Sequence, residues 1–178
     1  MEPLFIVTER FDTSSPGWER YITWSRLHHL VEVVSLDSML CPPVISEILD
    51  ADWPHVCNED FMLRYFHDLD YLLERAGPLS NRNLLCVFLN PEDEPMPPAS
   101  LRFCFELEGF DLVNIECDTS ALTNCGGFRL AFENTELSPH GLLGSLRRAN
   151  EVRDELRKHY PEEHHAACNT WAIFRAVL

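Results

Sequence analysis

Ser100-Leu101-Arg102-Phe103-Cys104-Phe105-Glu106-Leu107-Glu108 decides how this chain is read. Leu101, Phe103, Phe105 and Leu107 fall on one parity, and Arg102, Cys104, Glu106 and Glu108 on the other. That period of two is what a strand with one buried face requires. Gly109 then permits a turn or a bulge. Asp111–Cys117 reads as the next strand, paired antiparallel with the first.

On either side of this pair lie runs of a different kind. Leu84–Leu89 and Thr170–Val177 are apolar on both parities, as expected of central strands covered on both faces. Leu4–Val7 and the β-branched run Leu30–Ser35 read as further strands. Cys41-Pro42-Pro43 breaks the chain, and Val44–Leu49 reads as one or two helical turns. The segment 90–99 carries four prolines and three acids and reads as an exposed connection. Thr119–Phe132 reads as a loop around Gly126-Gly127.

Two main helices are expected. One covers about 59–76: Asn58 serves as N-cap, Phe61, Tyr65, Leu69, Leu72, Leu73 and Ala76 form an apolar stripe, and Gly77-Pro78 stops it. The other covers about 139–159. It is capped by Ser138, faces the core through Leu142, Leu143, Leu146, Ala149, Val152 and Leu156, and carries Arg157, Lys158 and His159 at its negative end. Ser14-Ser15-Pro16 also suits a helix start, with Trp18, Tyr21, Ile22 and Ser25 on one face. Trp18, Ile22 and Trp24 fit a strand period equally, which leaves both readings open there. The expected architecture is α+β (or mixed α/β): a single domain over 1–178, with a mixed sheet of about five or six strands that includes an antiparallel pair.

The 178 residues carry 29 acids and 14 bases, a net charge of −15. Such a field disfavours phosphate backbones and anionic lipid, so neither nucleic acid nor a membrane is an expected partner. No stretch approaches the ~20 apolar residues of a membrane span. The first ten residues lack a basic segment followed by a long apolar one, so no signal peptide is expected. Seven cysteines (41, 57, 86, 104, 117, 125 and 168) without a C-x-x-C pair suggest reduced thiols in a cytoplasmic protein.

The acid excess is concentrated. Residues 30–70 hold nine acids against Arg64 alone, and residues 86–118 hold eight against Arg102 alone. The densest piece is Glu47, Asp50, Asp52, Glu59 and Asp60, with Trp53 among them. Carboxylates steer a basic partner and an indole anchors it, so these six residues are the candidate binding surface; the plainer reading is a solvated face with Trp53 folded inward.

Catalytic candidates are fewer. Cys125 precedes Gly126-Gly127, where exposed backbone N–H groups could activate a thiol; His140 would be its base and Asp118 would orient that base. The plainer reading is a buried, inert cysteine. His164, His165 and Cys168 are usable metal ligands, but they lack a fourth donor and the spacing of a zinc site, so no metal and no cofactor are expected. Arg64 and Asp68 suit an i,i+4 pair on the expected helix, and His67 with Asp70 a His–carboxylate couple. Phosphate-cradle, nucleophile-elbow and zinc-peptidase motifs are absent.

The leading expectation is a non-catalytic module that binds a basic protein, of which an inhibitor or immunity protein is one concrete form. A small cysteine-dependent enzyme centred on Cys125 and a homo-oligomer without a separate partner are the alternatives.

Overall fold

The computed structural model describes residues 2–58, 62–114, 116, 118–124 and 128–178. The fold is α+β, built on a curled five-strand sheet. The strands are β1 (Leu4–Glu9), β2 (Arg82–Leu89), β3 (Phe105–Asn114), β4 (Thr119–Ser120) and β5 (Asn169–Ala176). Their spatial order is β1-β2-β5-β3-β4, and every pairing is antiparallel. Both faces of β2 and β5 are covered, which is why both strands are apolar on both parities.

The deciding stretch forms one strand and not two. β3 runs through Gly109, where the register against β5 shifts between Leu107 and Gly109 in a bulge. Its two halves therefore do not pair with each other; β5 lies beside both. Gly109 has φ 143°, and a Cβ there would stand 2.7 Å from the carbonyl oxygen of Leu143. The closeness has a purpose, because Phe110 and Leu143 exchange both of their backbone hydrogen bonds, at 2.9 and 3.0 Å.

Among the described residues three α-helices accompany the sheet. The first, α1 (Pro16–Ser25), begins as read: Ser15 caps it by accepting from the Trp18 N–H, and Pro16 holds the first helical position. Among the described residues the helix expected over 59–76 is α2 (Leu69–Ala76), capped by Asp68, which accepts from the Tyr71 N–H. Glu59, Asp60 and Phe61 lie outside the described residues, and Met62–His67 is non-helical. The helix expected over 139–159 is α3 (Leu146–His159), capped by Ser145 and not by Ser138. Residues 30–35 and 44–49 form neither strand nor helix.

The strand alternation gives the sheet two unlike faces. Phe5, Val7, Leu84, Cys86, Phe88, Phe110, Leu112, Ala172 and Phe174 face a core completed by Leu69 and Leu72 of α2 and by Leu146, Ala149, Val152 and Leu156 of α3. Leu4, Ile6, Leu85, Val87, Val113, Trp171 and Ile173 face the other way. Irregular chain covers that second face: Val34, Leu36, Cys57, Met62, Tyr65 and Leu142. Tyr65 stacks on Trp171 at 5.0 Å between ring centres.

Gly109→Ala combines a strained φ with a backbone clash, and should lower unfolding free energy by about 3 kcal/mol. Urea denaturation measures this, and a change below about 0.5 kcal/mol would show that the bulge does not need glycine.

Candidate functional site

Irregular chain carries backbone groups that no ladder satisfies, so something else must hold it on the sheet. Here two carboxylates do. Asp111 points from β3 toward the helix-free face and is fully buried. Its Oδ2 accepts from the Ser35 hydroxyl at 2.6 Å and the Leu36 N–H at 3.3 Å. Its Oδ1 accepts from the Ser120 hydroxyl at 2.6 Å and the Leu112 N–H at 2.8 Å. Asp37, equally buried, accepts from the N–H groups of Met39, Leu40 and Ser120 and from the Asn124 amide, each at 2.9 Å. Burial pushes the Asp111 carboxyl above its ordinary value, against the four hydrogen bonds that favour its charge.

Beyond this anchor the chain runs along the edge of β1. Glu9 N–H donates to Pro42, Val44 N–H donates to Val7, and farther along the strand Phe5 and Phe66 exchange two backbone bonds. These contacts cover an edge that would otherwise invite another strand. They also form one wall of an open cleft of about 880 Å³. Pro42, Pro43, Ile45 and Ile48 line that wall, with Trp53 and Leu63 beside them. The polar lining includes Glu47, Arg64, Glu116 and Asp118. Arg64 is ion-paired with Asp118, not with Asp68 as a continuous helix would have it. Burial draws the Arg64 guanidinium below its usual value.

The six candidate binding residues separate. Glu47 and Trp53 line the cleft, Asp50 is exposed on the same loop, and Glu59 and Asp60 lie outside the described residues. Asp52 is not a surface acid at all. It is fully buried and receives the Leu49 N–H at 2.8 Å, the Tyr71 hydroxyl at 2.7 Å and Arg75 Nε at 3.1 Å. Burial raises its carboxyl, but these donors outweigh that and hold it below the ordinary range. Glu116 of the cleft is absent from the six, although the acid-rich stretch 86–118 contains it.

The catalytic candidates do not meet as expected. Cys125 lies outside the described residues. His140 Nδ1 stands 2.5 Å from Glu108 on β3, so Glu108 is the carboxylate that orients it, while Asp118 is occupied by Arg64. Glu108 belongs to a partly buried ionic chain in which Arg175 bridges it to Glu32 at 2.6 and 2.8 Å. Among the metal candidates, Cys168 is buried in the helix-side core with its thiol pushed up to about 11, and His164 is exposed. Among the described residues no three His, Cys, Asp or Glu side chains stand together to hold a metal ion.

The sequence pairs of the expected helix also dissolve. His67 is exposed, and the imidazole beside Asp68 is that of His55, at 3.0 Å and stacked on Tyr71 at 3.8 Å. Comparison with protein-family models, with curated proteins and with solved structures found nothing that matches this chain.

Asp52 supplies stability that is present above its ordinary pKa of 3.8 and is lost as pH falls through its lowered value. Asp52→Asn should therefore cost about 2 kcal/mol at neutral pH. The gap between the two proteins should narrow as pH drops below about 4. Denaturation series at pH 7 and pH 3 check both statements; a gap equal at the two pH values would contradict the assignment.

Proposed function

We propose that this protein is a non-catalytic binding module whose cleft holds a cationic segment of another protein, as an inhibitor or immunity protein holds a basic enzyme. The observation that carries this reading is that, among the described residues, two acids without an arginine partner share one cleft with an exposed tryptophan. Glu9, Glu32, Asp52, Glu108, Asp118 and Glu136 are all paired with the chain's own arginines. Among the described residues Glu47 has no ion-pair partner, and Glu116 meets only His164, at 3.8 Å. These two line one cleft with an exposed tryptophan. Charge complementarity of this kind sets association rate and excludes partners of the wrong sign.

The net charge of −15 supports a protein partner over nucleic acid or an anionic membrane. No helix among the described residues is long and apolar enough to cross a bilayer. The free thiols of Cys41, Cys57, Cys86, Cys104 and Cys168 support a reducing, cytoplasmic setting.

A twelve-residue peptide with four arginines is a suitable probe. Its association rate should fall roughly tenfold between 50 and 300 mM NaCl. Replacing Glu47 and Glu116 together by glutamine should weaken it at least about fivefold. Neutralising Glu92, Asp93 and Glu94 in the proline-rich loop should change it less than about twofold. Equal loss in the two variants, or no dependence on salt, would refute the cleft as the site.

A further inference from the structure

We propose that the group the cleft selects is an arginine side chain of the partner, its guanidinium lying flat on the Trp53 ring and paired with Glu47 or Glu116. This rests on the cation-binding reading of the cleft and specifies the chemistry of its occupant.

Three observations converge on it. The first is the state of Trp53. The residue is 46% exposed, and among the described residues its ring meets no other aromatic ring. Trp24 is as exposed, at 54%, but its ring lies against Tyr21 at 6.4 Å. Trp171 is buried and stacked on Tyr65. Trp53 thus presents part of a large indole on a cleft wall, unstacked on any other described ring, and indole is the best of the side-chain rings for receiving a cation.

The second is the charge balance of the cleft. Its one cation among the described residues, Arg64, is already neutralised by Asp118. The carboxylates of Glu47 and Glu116 remain, neither paired with an arginine or lysine among the described residues, so a cation in the cleft meets negative charge.

The third is the lining. Pro42, Ile45 and Ile48 give apolar surface on which the methylene stem of a long basic side chain can lie while its head stays at the polar rim. A volume of about 880 Å³ leaves room for the residues that flank such a side chain.

Guanidinium fits these features better than ammonium. It is planar, so it stacks on indole and still offers two parallel N–H groups in its own plane to a carboxylate. Ammonium is a compact and strongly hydrated point charge and cannot do both at once. The cleft therefore separates arginine from lysine at equal net charge.

The test uses two peptides of identical sequence, one with four arginines and one with four lysines, binding to the full chain at 100 mM NaCl. The arginine peptide is expected to bind at least about fivefold more tightly. Trp53→Ala should erase that ratio while leaving the salt dependence of both peptides intact, and Trp53→Phe should keep part of it. Thermal unfolding of each variant establishes that it is folded. Equal affinity for the two peptides, or a ratio unchanged in Trp53→Ala, overturns the arginine assignment and leaves the cation cleft standing. Binding of neither peptide overturns both.

Discussion

Asp37 and Asp111 hold this fold together on the side where no helix does it. A sheet with two apolar faces must cover both, and here the helices cover only one. On the other, irregular chain lies over Trp171, Ile173 and Val87 and brings unsatisfied backbone donors with it. Two buried carboxylates collect those donors: between them they accept the N–H groups of Leu36, Met39, Leu40, Leu112 and Ser120 and the hydroxyls of Ser35 and Ser120. A buried carboxylate is costly unless its oxygens are satisfied, and each oxygen of this pair has two donors. The polar network therefore specifies where the covering segment lies, a task apolar contacts alone do loosely.

The cleft follows from that placement. Once Ser35–Asp37 is fixed over β3, the next residues reach the edge of β1 and pair there through Pro42 and Val44. The walls formed by Pro42–Ile48 and by Leu63–Arg64 are built from chain that has no regular structure of its own. Function on such segments is common because a rigid scaffold positions them while their side chains remain free to meet a partner. In this protein the scaffold is the sheet and the fixing points are carboxylates.

Much of the scaffold is legible in the sequence. The runs at Leu4, Leu84 and Thr170 are strands because burial on both faces leaves little room for polar residues, and composition records that directly. The Ser15-Pro16 start gives α1 for the same local reason. What is not legible is chain that is buried without being regular. Leu30–Ser35 looks like a strand because it is β-branched and mostly apolar, yet the N–H groups of Val31, Glu32 and Val34 donate to Pro139 and His140. Tyr65 continues the apolar stripe of a helix, yet it lies flat on Trp171. The early helix is expected from a cap at Asn58, yet the cap that forms is Asp68, which accepts from the Tyr71 N–H and stands 3.0 Å from His55.

The acidic run is legible in part. Glu47 and Trp53 stand on the cleft as an exposed carboxylate and indole, whereas Asp52 turns inward to partners 19 and 23 residues away. No local pattern marks that difference. Arg64, the one base among the nine acids of residues 30–70, reads as an i,i+4 partner of Asp68, but its actual partner is Asp118 and depends on the return of the chain there.

Native-state amide hydrogen exchange tests the central claim most directly. If the two carboxylates fix the covering segment, the N–H groups of Leu36, Leu40 and Ser120 exchange only through opening as costly as that of the central strands β2 and β5. Exchange at those three amides through a local opening of about 2 kcal/mol or less, with β2 and β5 still protected, would mean the segment is a loose cover and the account is wrong.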